Sequence, residues 1–369
     1  MKTTSIAAGV LLATAAIFSG APAEALSEHG EYANQQLEPY RARPEFVPPG
    51  EPFDARACMA GKKVLGIPVS SANPFTKNIY TAMKQVADKV GFTFTEWENQ
   101  GQPSQWVQGM NHAINQGYDL IDLVGGTDPK VLAPQVKQAI DADIMVVASH
   151  YNGFEQQLPE GITDDVPIDY LTAGKLLADW AIWKTDADVN ALVIVSSEVY
   201  STESMVNGIK QEFEAHCPDC KARIVNVPVP EWSSKIQPNV QSALLADPTL
   251  NYIIPIYDSM SQFVVPAVTI TAAGDRVKIA TFNGTPFVLG LVQQGSVEMD
   301  IGENLDWIGH AIMDAEMRLL CGIEPIDDPK IPFYIFDQSN ADDAGHPPQL
   351  STGYGDAYIT GYDELWGLK

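Results

Sequence analysis

PVSSANPFTKNIYTAMKQVADKVGF, residues 68–92, holds the transition that decides the fold. Asn73 stands at an N-cap position and Pro74 at the first helical position, where its missing N–H costs nothing. Phe75, Ile79, Met83, Val86 and Val90 follow at three- and four-residue spacing, which predicts a helix over 74–90 with one buried face. Gly91 is a left-handed stop. Val64–Val69 in front of the helix has the pattern of a short apolar strand, and Phe92–Trp97 behind it has another. Strand, one-faced helix and strand make the first step of a parallel sheet. Small molecules bind such sheets at the carboxyl ends of the strands. Ser70–Phe75 therefore stands where a ligand would be touched, although a plain capped helix on a core sheet has the same local pattern.

The same alternation continues along the chain. Further strands are expected at 119–124, 144–149, 191–196, 223–229, 252–257, 277–282, 297–301 and 331–336. Helical patterns fall between them at 103–116, 128–140, 171–185, 202–215, 236–246, 259–273, 286–294 and 306–321, with a loop around 152–165. This is an α/β chain with helices on both faces of parallel sheets. About ten strands are many for one sheet, so two doubly wound sheets are expected. Residues 26–57 are polar and rich in proline, which reads as an irregular arm.

The first 25 residues have the plan of an export signal. Lys2 is followed by the apolar run Ile6–Phe18 and by Ala23-Glu24-Ala25, a small-residue cleavage site. The run is too short for a permanent membrane span. No cysteine follows the site, which argues against a lipid anchor on a mature chain starting at Leu26. A periplasmic, oxidising location is expected. About 340 residues remain, enough for two domains. The 47 acidic residues against 22 basic ones give a net charge of −25, which argues against nucleic acid and anionic membrane surfaces as partners.

Four cysteines, Cys58, Cys217, Cys220 and Cys321, suit two disulfides in that compartment. Cys217-Pro-Asp-Cys220 has redox or zinc spacing. It follows the helical pattern ending at His216, and the negative end of a helix disfavours a thiolate. No second such motif or histidine pair completes a zinc site. A local structural disulfide is the reading, with redox chemistry as its alternative. No cofactor or metal is implied.

Asn73-Pro74-Phe75, GGTDPK at 125–130, IDYLTAGKLLADW at 168–180, NGIKQEF at 207–213 and TFNGTP at 281–286 come in an order that resembles the type I periplasmic binding proteins of ABC importers, in particular the ribose/galactose-like group. The similarity covers about residues 60–337. It implies two lobes joined by a three-crossing hinge, a ligand in the cleft between them, and closure sensed by a membrane permease. Lobe 1 would comprise 58–168 and 304–331 and lobe 2 169–303. Residues 332–369 would form the last hinge strand and a tail. Crossings would fall near Ile168–Leu171, Gly302–Asp306 and Phe336–Ser339. In that fold the end of helix 306–321 lies at the edge where the first strand starts, so Cys58 and Cys321 would be bridged. A monomer is expected.

The resemblance also assigns the cleft. Asn73 would be a polar contact and Phe75 a stacking surface. Gly125 follows the third strand, and His150 and Tyr151 the fourth. Asn207 precedes Gly208, Trp232 lies in EWSSK, and Tyr257 and Asp258 end YIIPIYD. Asn283 stands where the family has a ligand-binding acid, and Glu303 at a polar hinge position. Asp258 is equally placed to cap the helix after it. Where ribose-like relatives carry guanidinium groups, this chain has His150-Tyr151 and Asn207. A sugar, a polyol, a modified sugar or a small aromatic alcohol would suit such a cleft, and an amine held by cation–π contacts is a further option. The chain has no G-x-S-x-G, H-E-x-x-H, phosphate loop or dinucleotide fingerprint, so no enzyme class is indicated. A ligand-loaded sensor docking on a chemoreceptor or histidine kinase is the alternative to import.

Overall fold

Strand β1 (Lys63–Pro68) is buried along its length after Lys63 and runs into the helix Pro74–Val90. That helix begins and ends as its residues require. The Asn73 side chain accepts from the Phe75 N–H at 3.0 Å, and Gly91 closes the helix at φ 102°. Phe75, Ile79, Met83, Val86 and Val90 are all buried. A computed structural model of the chain describes Met1 and residues 25–369, so the export signal lies almost wholly outside the described residues.

The first sheet continues with β2 (Thr93–Glu96), β3 (Leu120–Val124), β4 (Met145–Ser149) and β5 (Asp164–Val166). Its order is β2-β1-β3-β4-β5, parallel throughout. Strand β5 falls inside the expected loop; three residues, two of them aspartates, are too few to show an alternation. The second sheet contains β6 (Asn190–Val195), β7 (Lys221–Asn226), β8 (Tyr252–Pro255), β9 (Lys278–Asn283), β10 (Met299–Gly302) and β11 (Tyr334–Asp337). Its order is β11-β10-β9-β8-β6-β7, parallel except for β11, which is antiparallel to β10. Each sheet reverses its winding once, between β1 and β3 and between β6 and β8. The crevices at these switch points are where doubly wound sheets take ligands.

Two helices follow crossings between the sheets. Tyr170–Thr185 opens the second lobe and crosses Ser201–His216 so closely that a Cβ on Gly174 would lie 2.1 Å from the Met205 carbonyl oxygen. Leu305–Leu320 returns to the first lobe and packs on Pro74–Val90. Its end is bonded to the segment before β1, through Cys321–Cys58 with Cα atoms 5.5 Å apart. Cys217 is bonded to Cys220.

The arm and the tail are more ordered than expected. Glu28–Leu37 is a helix capped by Ser27, and Ala33 and Leu37 are buried in the second lobe's core beside Tyr170 and Leu177. The prolines that suggested an irregular arm all lie beyond it, from Pro39 onward. The tail passes from one lobe to the other. Gln293 donates to the carbonyls of Ala341 and Gly345 on the second lobe. Tyr358, Tyr362 and Trp366, at four-residue spacing, then bury themselves on helix Leu305–Leu320. Tyr358 stacks on Trp307 at 4.6 Å, and its hydroxyl donates to the Asp306 carboxylate at 2.5 Å. Tyr358→Phe keeps the stacking and removes that bond from a nearly buried acid. It should lower unfolding free energy by about 1.5–3 kcal/mol in denaturant titrations. An unchanged midpoint would mean that the bond contributes nothing net.

Candidate ligand-binding cleft

The loops after β1, β3 and β4 face those after β6, β8 and β9 across a small chamber of about 30 Å³. Asn73, Phe75, Gly125 and His150 line it from the first lobe. Trp232, Tyr257 and Asn283 line it from the second. Phe75 lies against His150, ring centroids 4.8 Å apart. Opposite, Trp232 and Tyr257 are stacked at 6.4 Å with 27° between planes. Trp232 Nε1 donates to Ser196 Oγ at 2.9 Å and to the Val227 carbonyl at 3.1 Å, so its polar edge is satisfied within the lobe. The Tyr257 hydroxyl is bonded to Ser201 Oγ and Thr202 Oγ1 at 3.0 and 2.9 Å. Burial raises its pKa to about 12, which keeps it protonated.

A chain of hydrogen bonds closes the base. The Tyr170 hydroxyl lies 2.5 Å from His150 Nδ1, His150 Nε2 lies 2.7 Å from Glu303 Oε1, and Asn283 Nδ2 donates to the same oxygen at 2.7 Å. The Tyr170 hydroxyl also lies 3.1 Å from the His150 carbonyl oxygen, so both ring nitrogens and the carbonyl of His150 are engaged within this chain. His150 comes from the first sheet, Asn283 from the second, and Tyr170 and Glu303 from the crossings. His150 and Asn283 have φ of 52° and 144°, conformations uncommon for such residues. Strain of this kind collects where side chains are held for function.

At the lip the lobes touch again. Tyr151 stacks on Tyr200 at 4.9 Å, Lys130 Nζ sits 4.2 Å over the same ring, and Gln156 donates to the Tyr200 carbonyl at 2.9 Å. The chamber is therefore closed at base and lip.

Seven expected residues line the chamber: Asn73, Phe75, Gly125, His150, Trp232, Tyr257 and Asn283. Four do not. Glu303 is wholly buried behind His150 and Asn283. Tyr151 is a lip residue whose hydroxyl donates to Asp128 Oδ1 at 2.9 Å. Asp258 accepts from the Thr285 N–H at 2.6 Å and hydroxyl at 2.8 Å, so it braces the start of helix Pro286–Gln293 instead of facing a ligand. Burial raises its carboxyl to about pH 7. Asn207 is exposed on helix Ser201–His216, because Ser201, Ser204, Met205 and Gly208 form that helix's inward face. Tyr170, Ser201 and Ser259 line the chamber without having been expected. Tyr170 lies within the first crossing expected at Ile168–Leu171, which is the signal that could have found it. Among the described residues no cluster of histidine, cysteine and acids could hold a metal ion. No helix among them is long and apolar enough to cross a membrane.

Two doubly wound lobes around such a chamber agree with the sequence comparison, in which residues 65–324 match the periplasmic binding protein domain. The chain belongs to that family. It is 24% identical over 267 residues to the ribose import binding protein RbsB of Escherichia coli, spanning 71% of this chain and 86% of that one. It is also 24% identical over 220 residues to the D-ribose/D-allose-binding protein of Pseudomonas aeruginosa, spanning 58% and 67%. Among solved structures, a 5-methylthioribose transporter solute binding protein from Thermotoga lettingae superposes with a TM-score of 0.69 at 15% identity, covering 86% of this chain and 95% of that one. An ABC transporter solute binding protein from Agrobacterium vitis with bound allitol gives 0.67 at 18% identity, covering 77% and 98%. These relatives are binding proteins, not enzymes, and their fold is the type I fold described above.

Proposed function

We propose that this chain is the periplasmic solute-binding component of an ABC importer. It captures a small sugar, polyol or related alcohol between its lobes and presents the closed form to a membrane permease. The observation that carries this reading is the hydrogen-bond chain Tyr170–His150–Glu303–Asn283, which draws on both sheets and the crossings at once. Such a chain is complete only when the lobes are together, as a signal of closure requires. The curated relatives named for ribose import support the transport role. We assign 58–168 with 304–331 to lobe 1 and 169–303 to lobe 2; β1–β5 and β6–β10 lie within these ranges, and β11 joins the second sheet from the tail.

The experiment identifies by mass spectrometry the solute released from purified protein and titrates it into variants of both walls. Asn73→Ala and Phe75→Ala remove first-lobe contacts, and Trp232→Ala and Asn283→Ala second-lobe contacts. Each should weaken binding about 5- to 150-fold, the equivalent of about 1–3 kcal/mol. Small-angle scattering should show compaction of the wild type on adding the solute. Unchanged affinity in all four variants would put the site elsewhere.

A further inference from the structure

We propose that the solute is a small, uncharged alcohol on an apolar or aromatic body, in preference to a free aldose, a polyol or an amine. This rests on the chamber being the solute site, as proposed above.

The walls point to such a body. Phe75 on one side faces the stacked Trp232 and Tyr257 on the other, and Val69, Val199 and Val229 fill the spaces between. Large aromatic and aliphatic surfaces favour a ligand that removes apolar area from water.

The polar groups set the number of hydroxyls. Most of those at the chamber are engaged with one another. Tyr257 is bonded to Ser201 and Thr202, Ser259 to Asp258, and both ring nitrogens of His150 to Tyr170 and Glu303. Asn73 spends its amide oxygen on its own helix cap and Asn283 its amide nitrogen on Glu303. That leaves one free amide donor, Asn73 Nδ2, on the first wall and one free amide acceptor, Asn283 Oδ1, on the second, with only the spare lone pairs of the Ser201 and Ser259 hydroxyls beside them. A hydroxyl both accepts and donates, so this pair suits one hydroxyl held from the two lobes. An aldose carries a hydroxyl on nearly every carbon. Each one left without a partner in a closed chamber would cost about 5- to 150-fold in affinity.

Charge is excluded by the same lining. No Lys, Arg, Asp or Glu side chain lines the chamber; Asp258 and Glu303 are wholly buried behind it, Asp258 bonded to Ser259 and Thr285 and Glu303 Oε1 to His150 and Asn283. An ammonium group would be desolvated there without a counter-ion.

The test is isothermal titration calorimetry on the mature chain, dialysed free of solute, with 2-phenylethanol, 2-phenylethylamine, D-ribose and myo-inositol. The expected order has 2-phenylethanol at least about tenfold tighter than the other three. Trp232→Ala and Asn283→Ala should each weaken it, and Trp232→Phe should retain most of the affinity. Saturation by ribose or inositol at lower concentration than 2-phenylethanol overturns the inference. If that binding is lost in the same variants, the solute-binding reading stands and only the ligand class falls. Tighter binding of the amine, no binding of any probe at millimolar concentration, or binding of 2-phenylethanol that all three variants leave unchanged would also overturn it.

Discussion

Replacing Cys58 and Cys321 together by serine should lower the free energy of unfolding by about 2–5 kcal/mol, the largest loss expected from any change outside the cleft. The bond joins residues separated by 263 positions, so it restrains most of the unfolded chain. Loop entropy alone sets a ceiling of about 4.7 kcal/mol for a 100-residue loop, and the ceiling grows with length. The Cα separation of 5.5 Å lies in the ordinary range, so the folded backbone needs no adjustment to accept the bond. Cys217–Cys220 spans only three positions and restrains little. Its serine pair should cost clearly less. The long bridge also acts at a particular place. It pins the end of helix Leu305–Leu320, which has come back from the second lobe, to the segment that enters β1. Denaturant unfolding of the two double variants, with non-reducing peptide mapping of the parent, checks this. Mapping should return the pairs 58–321 and 217–220 with no free thiol. Equal midpoints for parent and Cys58→Ser/Cys321→Ser would defeat the argument.

What could be read from the residues was what is decided locally. Asn73, Pro74 and Gly91 bound their helix through contacts within a few positions, and the helix, its strand and its place beside the cleft followed. Asp258 could not be assigned in the same way. It was seen as either a ligand contact or the cap of the next helix, yet its partner Thr285 lies 27 positions on, across β9. Asn207 was placed by its neighbour Gly208, which does pack inward against Leu171 and Lys175. A helix turns by about 100° per residue, so the preceding side chain faces elsewhere. The tail carried its own signal in Tyr358, Tyr362 and Trp366. The spacing of four marks one helical face, but only the fold reveals that Trp307, His310 and Asp314 are what it covers. Glu303, expected at a polar hinge position, stands between β10 and helix Leu305–Leu320 and bonds to His150 and Asn283 rather than lining the chamber.

Stability should fall as pH rises from about 5.5 to 8.5, the reverse of the behaviour of proteins held by surface ion pairs. The cause lies in buried acids whose desolvation outweighs any neighbouring positive charge. Asp122 on β3 and Glu316 on helix Leu305–Leu320 are wholly buried in the first lobe and face each other. Tyr80 and Ser149 are their other polar neighbours. Burial raises Asp122 to about 7, and burial with the charge of Asp122 raises Glu316 well above the usual range. In the second lobe, burial and the neighbouring Glu212 lift Asp179 to about 9. These groups hold protons in the folded state that the unfolded chain releases near pH 4. Folded protein then binds more protons than unfolded, so the slope of stability against pH is negative from about 4 up to each folded pKa. Each extra proton held costs about 1.4 kcal/mol for every pH unit crossed. Asp247 is held at about 2 by hydrogen bonds from Thr249 and Asn190, and acts in the opposite sense only below pH 4. Asp122→Asn keeps the shape of the side chain and removes one titration. It should flatten the decline between pH 5 and 7 and raise stability at pH 8 by an amount on the order of a few kcal/mol. Calorimetric melting of parent and variant across that range provides the measurement. A parent whose melting temperature climbs from pH 5.5 to 8.5, or a variant with an unchanged slope, would show that these carboxyls ionise freely within the fold.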